Sequence, residues 1–152
     1  MKKSIAIFVL TLTLAGCGPA LHLVKAEDVD VSEKTIFVTG SSLFHSSLRK
    51  KLSSDNWKVT TQVGTGTTKG KVKDGSVSLE MGMNYSTRYN LNCGYAKFWD
   101  FGDKYIFDCT LLDNRKGVDV LNITVNHSEF ERYDLDEATS LILKAINNQP
   151  LK

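Results

Sequence analysis

Between Tyr89 and Leu111 apolar residues alternate with polar ones in two successive runs, and the two cysteines of that stretch sit at matching phases. Tyr89, Leu91, Cys93 and Tyr95 share one face of the first run, with Trp99 further on beyond the interruption at Lys97. Tyr105, Phe107, Cys109 and Leu111 share one face of the second. Period-two alternation of this kind reads as a strand with one buried face. Folding the segment about Phe101 sets Cys93 opposite Cys109 and Tyr95 opposite Phe107. A turn of odd length such as Asp100-Phe101-Gly102, with Gly102 left-handed in a bulge, permits that register. Both sulfurs then lie on the aromatic, core-facing side.

The other elements are placed around this hairpin. Thr35-Ile36-Phe37-Val38-Thr39 is a β-prone run ended by Gly40 and Ser41-Ser42. Ser42 is an N-cap for a helix from Leu43 to about Ser53, with Phe44, Leu48 and Leu52 on one face and His45, Arg49 and Lys50 off that stripe. Trp57, Val59, Thr61 and Val63 alternate as a further strand, so the connection is long enough for a parallel crossover. The Gly, Thr and Lys-rich segment 64–75 is expected as a mobile surface loop. Gly64, Gly66 and Gly70 follow a strand, but no amphipathic helix opens at Gly70, and Thr65 stands where a Walker loop needs its first glycine. In segment 76–85 Val77, Leu79, Met81 and Met83 alternate, while Val77, Met81 and Tyr85 lie at helical spacing; a short helix is expected.

Asp113 to Gly117 reads as a second hairpin turn leading into Val118 to Val125, with Leu121, Ile123 and Val125 facing the core. Asp134-Leu135-Asp136-Glu137 reads as a capping box opening a helix to about Asn148. Its stripe is Leu135, Ala138, Leu141, Ile142, Ala145 and Ile146, and Pro150 stops it. The expected fold is α+β: a mixed, mainly antiparallel sheet of about five strands with its helices packed on one face.

The amino-terminal end adds a compartment. Met1-Lys2-Lys3 is a basic n-region and Ile5 to Leu14 an apolar run, followed by Ala15 and Gly16, which together read as a secretory signal. The run is roughly half of the ~20 residues needed to span a bilayer. Leu14-Ala15-Gly16-Cys17 resembles the lipobox of bacterial lipoproteins. The resemblance implies removal of residues 1–16, a diacylglycerol on the Cys17 thiol and, from Gly18 in place of Asp, sorting to the outer membrane. Two or more acyl chains anchor stably where one is marginal.

With the signal removed, 19 Lys+Arg against 17 Asp+Glu loses Lys2 and Lys3 and becomes 17 against 17. A neutral domain has no broad footprint for nucleic acid, and none is expected as a partner. With Cys17 taken by lipid, Cys93 and Cys109 are an even pair in an oxidising periplasm, and one disulfide between them is expected. His22, His45 and His127 lie far from them in sequence, so no metal site and no cofactor are expected. Residues 17–34 show no sustained pattern and are expected as the lipidated cysteine and a tether, reaching at most about 60 Å when extended, the alternative being that Leu21-His22-Leu23-Val24 pairs with a partner or an edge strand. Residues 35–152 are expected as one α+β domain.

Catalytic candidates are weak. Ser42 sits at a strand-to-helix turn with His45 near in sequence, but the G-x-S-x-G elbow is absent and capping explains the serine. Asp100, Asp103 and Asp108 gather around the hairpin, where turn carboxylates are usually solvated. Trp99 and Phe101 near the turn would make a docking pair if exposed, although core burial is the expectation for Trp99. In layout the chain resembles small accessory outer-membrane lipoproteins that support larger machines. The expectation is therefore a lipid-anchored, non-enzymatic interaction or assembly-accessory domain, joined to the membrane through lipid on Cys17 and to a protein partner in the periplasm or outer membrane. The alternative is a small-ligand or inhibitor-type module, binding a cell-wall fragment or a hydrolase.

Overall fold

The computed structural model describes residues 21–60, 65–73, 76–84, 86–99, 102–125 and 132–151, with the backbone alone for 65–73 and 76–84. In chain order these form β1 (Leu21–Lys25), β2 (Thr35–Val38), α1 (Leu43–Ser54), β3 (Lys58–Thr60), β4 (Thr65–Lys73) and β5 (Ser76–Asn84). They continue as β6 (Tyr89–Phe98), β7 (Lys104–Asp113), β8 (Val118–Val125), β9 (Tyr133–Asp134) and α2 (Leu135–Ile146). One mixed sheet has the order β1-β8-β7-β6-β2-β3, with β9 added to β7 as its seventh strand. β2 runs parallel to both β3 and β6; the other pairings in the sheet are antiparallel.

The cysteine hairpin has the register its alternation predicts: Cys93 opposes Cys109 and Tyr95 opposes Phe107. The two cysteines are joined, with their Cα atoms 4.1 Å apart. Gly102 in the intervening turn takes φ +109°, a conformation that L side chains rarely adopt. Between β7 and β8 the register shifts at Leu111/Leu112, so that Leu111 faces Leu121 but Leu112 faces Asp119. The extra residue is Val120, and the kink lets both Val120 and Leu121 bury.

Both helices cover the face of the sheet that carries the disulfide. Phe44 of α1 stacks on Tyr95 at 4.7 Å between centroids and lies within 6.4 Å of Tyr105 and Phe107. α2 packs on α1, β7 and β8, and its Ala138, Ile142, Ala145 and Ile146 are buried. The capping box is present, Asp134 accepting from the Glu137 N–H while the Glu137 carboxylate accepts from the Asp134 N–H. At the other end Asn148, at φ +58°, donates to and accepts from the backbone of Val29, and Asn147 accepts from the Trp57 indole.

Several expectations need correction. The sheet has seven strands where about five were expected, because short edge pieces lie below the length at which alternation is visible. Segment 76–85 was expected as a short helix; Ser76–Asn84 is a strand, and segment 64–75, expected as a loop, contributes Thr65–Lys73 as its antiparallel partner. Lys73 faces Ser76 across only two residues, Asp74 and Gly75, the dipeptide that favours tight hairpins. Of the alternating run Trp57 to Val63, β3 takes Lys58–Thr60, and Thr61 and Val63 lie outside the described residues. His45, expected off the buried stripe of α1, is 8% exposed.

The largest correction concerns residues 17–34, expected as a tether. Leu21–Lys25 pairs with β8 along its whole length, Leu21 with Val125 through Lys25 with Leu121. Ala26 and Glu27 then donate backbone hydrogen bonds to Val120, and Val29 is buried in the core. From Leu21 onward the segment belongs to the folded unit, and residues 17–20 lie outside the described residues.

Candidate interaction surface

Ser42 and His45 are brought together where α1 meets the sheet. The Ser42 Oγ lies 2.8 Å from His45 Nδ1, and His45 Nε2 lies 3.1 Å from the Cys93 carbonyl oxygen. A carbonyl can only accept, so in the neutral ring Nε2 carries the hydrogen and Nδ1 accepts from the serine hydroxyl. A serine donating to an imidazole is the pairing that activates a nucleophile. Here both members also have structural partners. Ser42 Oγ accepts from the His45 backbone N–H as the N-cap, and the buried ring, edge-on to Phe44 and Tyr95, fastens α1 to β6 beside the disulfide. Gly40 makes room for that ring: a Cβ there would lie 2.5 Å from it. Arg49 closes the turn by donating to the carbonyls of Val38 and Gly40.

The carboxylates around the hairpin do not converge. Asp103 pairs with Lys97 at 2.8 Å, Asp108 accepts from the Thr124 hydroxyl, and Asp100 lies outside the described residues. Of the glycines weighed as a phosphate loop, Gly66 and Gly70 lie within β4 and pair with Met83 and Leu79.

A charged cluster that sequence reading passed over holds the amino-terminal segment. Arg88 Nη1 meets Asp30 at 2.5 Å, while its Nε and Nη2 reach Asp113, which is buried. The Tyr89 hydroxyl accepts from the Asp30 N–H, and Arg115 meets Glu33 at 2.8 Å. Hydrogen bonds from Ser32 and then the Arg88 contact lower the Asp30 carboxyl to about 2. The hydrogen bond that Arg88 donates to Asp30 in turn raises the Arg88 guanidinium. The only sequence signal was the charge of 27–33, which reads equally well as a solvated linker.

The exposed feature is the tip of the β6–β7 hairpin. Trp99 was expected to bury; it is 78% exposed, the most exposed of the large hydrophobic residues described. The strand pairing ends at Phe98 and Lys104, so Trp99 stands past the last ladder rung. The Lys97 ammonium lies 4.1 Å from the centroid of its ring, and the Arg132 guanidinium 3.9 Å from that of Phe98. The hydrogen bond with Asp103 raises Lys97 above the ordinary lysine range. An exposed indole with the Lys97–Asp103 ion pair beside it is an amphipathic contact surface. Phe101, expected as the second docking aromatic, lies outside the described residues, as does Cys17.

A concavity of about 270 Å³ opens on the sheet face opposite the helices. Gly94, Ala96 and Ile106 line it together with Asp108 and Thr124. Among the described residues no helix is long and apolar enough to cross a membrane.

No protein family matches the chain, and comparison with curated proteins and with solved structures finds no significant match.

Proposed function

We propose that this protein is an outer-membrane lipoprotein, held by acyl chains on Cys17, whose domain serves in the periplasm as a non-enzymatic interaction or assembly-accessory module for a protein partner. The observation that supports the reading most is the short interval between the lipobox cysteine and the fold: Leu21 is already paired in the sheet. The four Cα–Cα steps from Cys17 span at most about 15 Å. An anchor at Cys17 therefore keeps the folded part at the bilayer surface, and the partner is a protein that is itself at that membrane. The near-neutral charge left after signal removal argues against a nucleic-acid partner.

Two measurements test the two halves of this proposal. Metabolic labelling with a fatty acid should mark the wild-type chain, and Cys17→Ser should abolish the label and move the protein to the soluble fraction. An unlabelled wild-type chain would overturn the anchor. Crosslinking in native membranes followed by mass spectrometry should recover a protein partner, and a wild-type chain that captures none would overturn the accessory role.

A further inference from the structure

β4 and β5 form a two-stranded sheet of their own, and among the described residues no other strand pairs with either of them. Their register sorts the hairpin into two chemically different faces. Val72, Val77, Leu79, Met81 and Met83 hold positions on one face. The other carries Lys69, Lys71 and Lys73 along β4, opposite Glu80, Ser78 and Ser76. Three lysines against one glutamate leave that face cationic, with every lysine on the same strand. Asp74 and Gly75 alone separate Lys73 from Ser76, and in a two-residue hairpin the residues flanking the turn form a hydrogen-bonded pair of a kind that recurs at every second position. The backbone groups of Lys69, Lys71 and Lys73 are thereby committed to β5, and those of Thr68, Gly70 and Val72 lie on the outer edge of β4.

We infer that the outer edge of β4 takes an extended, acidic segment of a protein partner as a third, antiparallel strand, one whose carboxylates alternate with apolar residues. This partner chemistry rests on the interaction-module reading and deepens it. A strand added to an open edge gains main-chain hydrogen bonds, here with Thr68, Gly70 and Val72, while its side chains set the specificity. It opposes each lysine in a non-hydrogen-bonded pair, the arrangement in which facing residues stand closest, so acidic residues at every second position match the ~6.8 Å repeat of Lys69, Lys71 and Lys73. The intervening residues extend the face of Val72 and Leu79, which favours apolar ones, and Gly70 brings no side chain of its own there. A second copy is a poor occupant. Antiparallel pairing of β4 with itself about Lys71 sets Lys69 against Lys73 and Lys71 against its twin, and like charges directly opposite are destabilising. β5 offers only Glu80 to the three lysines. The row that guards the edge against self-pairing therefore selects an acidic strand.

The test uses the full chain as isolated from cells and two end-blocked peptides as long as β4, one alternating glutamate with valine and the other alternating lysine with valine. The glutamate peptide should bind, weaken as salt is raised, and slow amide hydrogen exchange at Thr68, Gly70 and Val72. The lysine peptide should bind at least about tenfold more weakly. Reversal of the row by Lys69→Glu, Lys71→Glu and Lys73→Glu should invert that preference. Gly70→Pro, which removes an edge donor and leaves the ladder to β5 its own, should abolish binding of the glutamate peptide. Equal affinity for the two peptides, or a preference that survives the reversal, overturns the acidic-strand assignment. Binding of the glutamate peptide without protection of the edge amides in the wild-type chain overturns it too, and needs no variant. Binding of neither peptide also overturns it, showing the lysines to be a guard alone, and leaves the interaction role standing. That role falls separately, if crosslinking in membranes captures no protein.

Discussion

Gly40 holds φ +109°, and a Cβ built there would meet Cε1 and Nδ1 of His45 at 2.5 Å. Gly102 has the same φ with nothing within 4 Å of a Cβ. The two glycines separate backbone strain from steric conflict. Gly102→Ala is expected to lower stability by about 1–2 kcal/mol through strain alone, and Gly40→Ala by about 3 kcal/mol or more, because the His45 ring has to leave Ser42 and the Cys93 carbonyl. Urea unfolding of the two variants measures the difference, and equal losses would show that the ring yields freely. Gly40 was legible as the end of a strand; its contact with a side chain five residues later was not, since it depends on where α1 settles on the sheet. His45 makes the same point. Helical spacing put it beside the buried stripe, but the ring reaches sideways to β6, and its burial follows from that tertiary neighbour.

Among elements, the β6–β7 hairpin was the most legible, because alternation and turn chemistry act over a few residues and agree. Its cysteines close a loop of sequence separation 16 on the buried face. In the chain-entropy treatment a bond closing a loop of this length stabilises by about 3 kcal/mol. Reduction is therefore expected to lower the free energy of unfolding by about that amount, read from urea titrations of the oxidised and reduced protein; an unchanged midpoint would place the stabilisation elsewhere. β5 was misread for a local reason. Val77, Leu79, Met81 and Met83 carry a strand period, but the overlapping helical spacing and Gly82 obscured it. The arbiter is the β4 partner, itself written in Gly, Thr and Lys apart from Val72 and lacking apolar alternation of its own.

At the scale of the whole molecule, the amino-terminal segment is bound at successive points: β1 on β8, Val29 to Asn148, Asp30 to Arg88, and Lys34 to Asp55. Asp30 makes one of these ties sensitive to acid. Its folded pKa, about 2, lies below the ordinary value of 3.8. The folded state therefore binds this proton less readily than the unfolded one, and the contribution is fully present above the unfolded value and lost as pH falls from 3.8 toward 2. Asp30→Asn should be less stable than wild type at neutral pH, with the difference closing over that acid window. Thermal unfolding at a series of pH values checks this, and a difference that persists at the acid end would remove Asp30 from the account.

Local chemistry alone determined the two helices with their caps and the cysteine register. Each rests on periodicity, capping or turn preference within a few residues. Tertiary structure decided that residues 21–34 are not a tether, that His45 is buried and that Trp99 is bare. The apolar patch Leu21-His22-Leu23-Val24 is too short to tell an edge strand from a linker until β8 offers it an unpaired edge, and a tryptophan at a hairpin tip is covered or exposed according to what packs beyond the last rung. The consequence for function lies in the same place. Under the proposed anchor at Cys17, the pairing of Leu21 with Val125 brings the folded domain within four residues of the lipid.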